Sequence, residues 1–500
     1  MAHAVRRSDL AIVAVVKAAL SIAVLLMGFV ALSDDDYSRT VIAEQFAHAP
    51  SLDPSGTSWL PLPFWLHGAA MAVFGRSLAT ASGTAVLLGV VSALCVYGAA
   101  RQLGASRTGA VVSAIVATGI PTATRLGVST QPEALAAGLV VFAAATTSMG
   151  GSARVAGGVA LGAACLCRYE PWAAAAAFAV LAVHDAARGS EAQARRNVRT
   201  SGFARRDRFG ESRGALLLAA FLAVAPAIGW IIHGAAFHDD ALFFLHRVAA
   251  YRRALGVSEP LARSLVAYPW ALLRGEPELM LAAVVALFVA RKHAPETLAA
   301  LARPSLVIAS VLVFLIVGRA LDGAPTHHAE RTLLPIWGLL SILVGESAVR
   351  AIIVASHRAA GAAAVRAGPI GLAIAAASLA LLAFPLDAGA PRTTEREIGA
   401  RARSLIAADE RLLVDTKDYG YFAVIAAFGA PERATPIDRH DPRDPKSADP
   451  FASHEKLADR LRAESAAWLV VERSHLPTAA PLGAVVAVAG DLSLVRLTLP

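Results

Sequence analysis

Three consecutive aspartates, Asp34, Asp35 and Asp36, stand where the first strongly apolar run, residues 10–32, gives way to polar sequence. Adjacent carboxylates repel, so one member of such a run can be driven towards the pKa range of a general base, or the set can hold a cation. The same residues also suit a helix start capped by Ser33, where acids meet the positive end of the helix dipole. Beyond them, Tyr37, Val41, Ile42 and Phe46 recur at helical spacing with Arg39, Glu44 and Gln45 between, which predicts a short helix along a membrane surface. A turn-rich insert, residues 50–58, leads to Trp59, Leu60, Pro61, Leu62, Pro63, Phe64 and Trp65, then to a second short apolar stretch ending at Gly75. Pro63 fits the first turn of a helix and tryptophan favours the interface. The loop reads as two surface helices hinged by prolines, with carboxylates at the mouth of a bundle.

Other candidates lie further on. Arg168, Tyr169 and Glu170 sit at the edge of an apolar run, before Pro171 and Trp172. Arg168 can hold a phosphate while Glu170 orients it or binds a sugar hydroxyl, and the pair can equally close a helix end. His233, His238, Asp239, Asp240, His246 and Arg247 precede Tyr251, Arg252 and Arg253. This His-Asp-Asp group could ligate a divalent metal or bind an acceptor, although zinc ligands usually follow a tighter spacing; the stretch after it suits lipid headgroups. Arg319, Asp322, His327, His328, Glu330 and Arg331 come just before another apolar run. An arginine there either grips a phosphate bidentately or anchors the helix by snorkelling. The chain has no P-loop, no GxGxxG after a strand, and no HExxH or paired CxxC motif. It therefore lacks a nucleotide-binding signature.

The elements that must position these residues are membrane helices. Of 500 residues, 56% are hydrophobic and 17% charged, and the mean hydropathy is +0.55, which excludes an ordinary soluble domain. Apolar runs follow at 80–100, 109–124, 133–149, 155–167, 171–184, 215–232, 278–290, 305–317, 333–349 and 369–384. With 10–32 they predict about eleven spans. The first is a retained span rather than a signal peptide, because it is long enough to cross and no cleavage site follows. Arginines favour cytoplasmic loops, and Arg101, Arg107, Arg154, Arg291, Lys292 and the arginine-rich stretch at 188–213 occupy alternate breaks. That alternation predicts a cytoplasmic N-terminus and puts the aspartates, Arg168, Glu170 and Arg331 on the outer side. The net charge of +8 thus reflects membrane topology, not nucleic-acid binding. The three cysteines, Cys95, Cys165 and Cys167, fall in apolar runs and read as buried thiols. The expected fold class is mainly α: a polytopic transmembrane bundle, residues 1–386, with outer-face surface helices and a small soluble α/β domain, residues 387–500, also outside. Its predicted elements include a helix at 454–467 and strands at 467–472, 484–489 and 492–499.

The first outer loop resembles that of the GT-C class of lipid-dependent integral-membrane glycosyltransferases, which includes protein O-mannosyltransferases and aminoarabinose transferases. Asp35, Asp36, Arg39, Ala43, Phe46, Trp59, Pro61, Pro63 and Trp65 carry the resemblance. Many relatives have Asp-Glu where this chain has three aspartates, so the register leaves Asp35 and Asp36 both open as the base. The resemblance implies transfer of a sugar from a polyprenyl-phosphate carrier to an outer-face glycan, lipid or protein acceptor in a bacterial-type inner membrane. It makes Arg331 the first choice for the donor phosphate, with His328 and Arg168 beside it. Asp34, Arg39, Glu170 and Asp239 are left for acceptor binding or structure, and a divalent metal stays open. The rival reading is a transporter or lipid flippase, for which charges would line a pathway near mid-membrane; the polar residues here gather on one side, and no repeated halves are evident.

Overall fold

The computed structural model describes residues 7–197, 213–254, 256, 260–321, 328–359, 389–437 and 449–498. The apolar run at 369–384, Asp322, His327, and most of the basic stretch at 188–213 lie outside them. In chain order the helices are α1 (Arg7–Leu26), α2 (Asp34–His48), α3 (Leu62–Phe74), α4 (Leu78–Gln102) and α5 (Arg107–Gly119). Then come α6 (Pro121–Leu126), α7 (Glu133–Ala145), α8 (Gly151–Cys165), α9 (Pro171–Asn197) and α10 (Arg213–Phe237). The series continues with α11 (Phe243–Ala254), α12 (Leu261–Gly275), α13 (Pro277–His293), α14 (Pro295–Ala320) and α15 (Leu334–Ala359).

Five stretches among the described residues are long and apolar enough to cross a membrane: α1, α4, α10, α14 and Ala329–Val354. The expected eleven spans are therefore not established. The run at 109–124 is divided after Gly119, because Pro121 cannot donate to the preceding turn and instead starts α6. Helix α8, with 15 residues, extends only about 22 Å against a hydrocarbon core of about 30 Å. The bundle is held by small residues that let backbones approach. A Cβ added to Gly138 of α7 would stand 2.7 Å from the Ser92 Cα of α4, and one on Gly345 of α15 would stand 2.6 Å from the Ser113 nitrogen of α5. Alanines dominate the interior, joined by the fully buried Trp337, Tyr97 and Phe178. Cys165 and Cys167 are buried free thiols as expected, and Cys95 is half-buried.

The two expected surface helices are α2 and α3. Pro63 lies in the first turn of α3, where a missing N–H costs nothing. Past residue 389 the chain forms α16 (Thr393–Leu405), β1 (Arg411–Val414), α17 (Tyr421–Phe428), β2 (Ala434–Pro436) and α18 (His454–Ala463). It ends with β3 (Ala466–Glu472), the short α19 (Leu476–Ala479), β4 (Gly483–Ala489) and β5 (Leu492–Leu497). The strand order is β2-β1-β3-β5-β4, with β1 parallel to β2 and β3, and β5 antiparallel to β3 and β4. Helix α18 stops before the expected residue 467, because Ser465 turns left-handed at φ 52° and Ala466 enters β3.

This α/β unit packs directly on α2. Ala423 and Ala426 of α17 share an apolar cluster with Ala31 and Tyr37. The Tyr37 hydroxyl donates to the Ala390 carbonyl at 2.8 Å, and the Ala390 N–H donates to the Ala31 carbonyl at 2.9 Å. Arg76, just beyond α3, pairs with Glu432 at 2.6 Å. The acidic helix is thus sandwiched between the bundle and α17 of the α/β unit.

Candidate functional site at the acidic helix

The three aspartates begin α2, and successive residues of a helix point about 100° apart. Each carboxylate consequently meets a different neighbour. Asp34 takes a two-pronged pair from Arg392, with Nε to Oδ1 at 2.8 Å and Nη2 to Oδ2 at 2.7 Å. Asp36 is buried, and both its oxygens are occupied. Oδ2 accepts from the Leu32 and Ser33 N–H groups at 2.8 and 3.3 Å, and Oδ1 accepts from the Thr130 N–H and hydroxyl at 2.8 and 3.0 Å. Burial raises its pKa above the ordinary carboxylate value, and the donors on Leu32, Thr130 and Ser33 oppose the shift. Asp36 therefore caps α2 and ties it to the loop before α7. Asp35 lies between them, half-buried. No described residue hydrogen-bonds or pairs with its carboxylate.

Arg39 is one turn further along α2 and buried, with its guanidinium 4.3 Å from the Trp59 ring centroid and 5.6 Å from that of Phe64. The W-L-P-L-P-F segment thus supplies an aromatic floor for this cation. Burial works against the Arg39 charge and lowers its pKa; Glu133 and Asp35 favour the charge electrostatically, and Arg168 and Arg331 oppose it. Arg39 is the point through which the acidic helix and the next group of charges sense each other.

That group lines a small, half-open cavity between α7, α9, α14 and the start of α15, with Glu133, Arg168, Glu170, Arg331 and Thr332 on its wall. Arg168 and Glu170 occupy the turn between α8 and α9, held by Tyr169, whose hydroxyl donates to the Ser58 carbonyl at 2.7 Å and whose ring stacks on Phe244 at 4.4 Å. Arg168 pairs with Glu170 at 2.5 Å and lies 3.3 Å from Glu133. Burial works against the Arg168 charge, yet Glu170 and Glu133 more than compensate and hold it above the usual guanidinium range. Arg331 lies in the turn leading into α15; its buried Nη1 makes no hydrogen bond. A buried guanidinium nitrogen without an acceptor is costly, and an anion in the cavity would satisfy it.

Asp35, Arg39, Arg168, Glu170 and Arg331 thus gather at one end of the bundle. His328 turns to Glu330, Nδ1 to Oε1 3.2 Å, and is half-exposed rather than placed on the cavity wall. Asp239 is exposed in a left-handed turn, φ 54°. The His-Asp-Asp group does not assemble as its spacing suggests: Asp240 pairs with His246 at 2.6 Å, and His233 and His238 face Asp53 instead. Glu133 was hidden in the sequence as the first residue of an apolar run. Its signal is a carboxylate directly after Pro132, at the one turn where a membrane helix presents free N–H groups.

One further acid on α2 yields a prediction. Glu44 is fully buried, and neither carboxylate oxygen makes a hydrogen bond. Burial holds its pKa well above the usual range; Arg76 and Arg403 oppose the shift and Glu432 reinforces it. The folded protein therefore retains a proton that the unfolded chain releases, so stability falls as pH rises from the ordinary glutamate value of 4.5 towards the raised one. Glu44→Gln removes this ionisation. Thermal melts across pH should show a variant that is more stable than wild type at neutral pH and less pH-dependent; parallel curves would contradict the assignment.

Residues 54–194 match the family model described as dolichyl-phosphate-mannose-protein mannosyltransferase. No curated protein matches the chain. Among solved structures, ArnT from Cupriavidus metallidurans in the apo state aligns with a TM-score of 0.58 and 14% identity, covering 95% of this chain and 97% of that one. The same protein bound to undecaprenyl phosphate aligns with a TM-score of 0.54 and 15% identity over the same shares. The family match begins inside the insert between α2 and α3 and runs through the turn that carries Arg168 and Glu170. The chain has the GT-C fold of integral-membrane glycosyltransferases.

Proposed function

We propose that this protein moves a hexosyl or pentosyl group from a polyprenyl-phosphate carrier to an acceptor hydroxyl on the non-cytoplasmic face of the membrane. The observation that carries the reading is the cavity shared by Arg168 and Arg331, linked through Arg39 to Asp35, whose carboxylate has no hydrogen bond or ion pair among the described residues. Arg168 and Arg331 line the cavity, and the phosphate of a sugar phosphodiester offers the acceptor oxygen that the buried Arg331 Nη1 lacks. The likeness to a protein that binds undecaprenyl phosphate supports the same carrier class.

In the reaction, Asp35 accepts the proton of the acceptor hydroxyl as its oxygen bonds to the anomeric carbon. The bond from that carbon to the phosphate oxygen breaks, and the polyprenyl phosphate leaves with the electron pair. Arg331 and Arg168 stabilise the charge that grows on the phosphate. The buried Asp36 and the clamped Asp34 hold Asp35 in place. Residues 387–500 act as a separate outer domain, with the N-terminus cytoplasmic.

The test is purified protein in lipid discs, given polyprenyl-phosphate hexoses and pentoses together with candidate acceptors. Free polyprenyl phosphate and glycosylated acceptor, followed by mass spectrometry, are the expected products. Absence of release from every carrier, combined with movement of labelled lipid across the disc or vesicle membrane, would replace this reading with a flippase.

A further inference from the structure

A second cluster of ligating side chains lies apart from the phosphate cavity. Asp53 stands in the loop between α2 and α3; His233 is in the last turns of α10, and His238 follows directly after it. Asp53 Oδ2 is 3.4 Å from His238 Nε2 and 3.7 Å from His233 Nε2. One ligating atom from each residue falls within 4.8 Å of the others. Two donors on adjacent corners of a tetrahedral zinc site are about 3.3 Å apart, so both Asp–His edges are already close to ligand spacing.

The surroundings point to a ligand. Both ring nitrogens of His233 are buried and make no hydrogen bond. Direct ion pairing with Asp53 would draw an imidazole N–H to within about 2.9 Å of the carboxylate, and neither histidine comes that near. The Asp53 carboxylate is aimed from behind: Oδ1 accepts from the Ser55 hydroxyl at 3.2 Å and from the Gly56 N–H at 3.1 Å, leaving Oδ2 towards the imidazoles. The rings are fixed as well. His233 stacks on Trp230 at 4.8 Å, and His238 on Phe243 at 4.0 Å. Oriented donors backed by hydrogen bonds and packing are what a metal site requires of its outer contacts.

We propose that Asp53, His233 and His238 bind one divalent transition metal of the zinc type, with solvent completing the coordination. Two imidazoles and one carboxylate favour zinc, cobalt or nickel over magnesium or calcium, which prefer all-oxygen sites. The metal fastens the insert between α2 and α3 to the end of α10. That insert carries Trp59, which lies over Arg39, and the Ser58 carbonyl, which holds Tyr169 beside Arg168. The ion acts as a staple that keeps the loop ordered and takes no part in bond making.

The test uses full-length protein stripped with a chelator and titrated with Co²⁺. Wild type should develop visible absorption bands of a low-coordinate cobalt site, saturating at one equivalent and displaced by Zn²⁺, and Zn²⁺ should raise its melting temperature. Asp53→Asn retains the Oδ1 acceptor for Ser55 and Gly56, so the loop can still form. This variant and His238→Gln should each bind cobalt at least about tenfold more weakly and lose the zinc-dependent rise in melting temperature. Absence of a cobalt spectrum and of zinc stabilisation in wild type would overturn the proposal. So would cobalt binding of equal affinity in both variants, which would place the metal on other residues.

Discussion

Asp35→Asn should lower sugar transfer about a thousandfold, the scale of a lost general base, while leaving the melting temperature unchanged. The variant preserves shape, and no described residue hydrogen-bonds or pairs with the Asp35 carboxylate. Its neighbours should respond in the opposite way. Asp36→Ala removes acceptors for Leu32, Ser33 and Thr130, and a lost cap together with stranded buried donors costs about 1–3 kcal/mol. Asp34→Asn weakens the grip of Arg392, a pair partly open to solvent and worth at most about 1 kcal/mol. Turnover and melting curves of the three variants form one experiment. The assignment fails if Asp36→Ala abolishes turnover at unchanged stability while Asp35→Asn remains active.

The second large effect belongs to Arg331. Arg331→Met should reduce kcat/KM for the lipid-linked donor by roughly a hundred- to a thousandfold, the loss typical when one preorganised charge-stabilising donor is removed. Arg331→Lys should restore only part of it, because an ammonium cannot reproduce the planar two-pronged contact with phosphate. A donor with a more acidic leaving phosphate offers a finer check, since it needs less charge stabilisation and should narrow the gap between variant and wild type. If Arg331→Met alters only the melting temperature, the arginine is an anchor for α15.

The surface helices were legible because their signals are local: an apolar repeat, an N-terminal acid cluster, and prolines in the first turn of α3. The membrane class followed from composition alone. The number of spans did not, since alanine-rich helices such as α8 do not distinguish a short buried helix from a full crossing. At the site, the sequence made Asp34, Asp35 and Asp36 equivalent. What separates them is contact with Arg392 and Thr130, residues 358 and 94 positions away, and no local pattern encodes that. Asp53 was similarly read as part of a turn, because its histidine partners lie some 180 residues further along. Proximity in sequence suggested Asp239 and Asp240 in its place.

The clasp of Arg392 and Ala390 on the acidic helix also has a consequence in time. Asp34 leaves the ribosome 358 residues ahead of Arg392, and at about 10 residues per second that gap is roughly half a minute. During this interval the nascent helix rests on the growing bundle without its far-side cover. A protease or assembly factor that samples chains during synthesis would meet the outer side of this helix uncovered, and completion of the fold around it would wait for the arrival of Ala390 and Arg392.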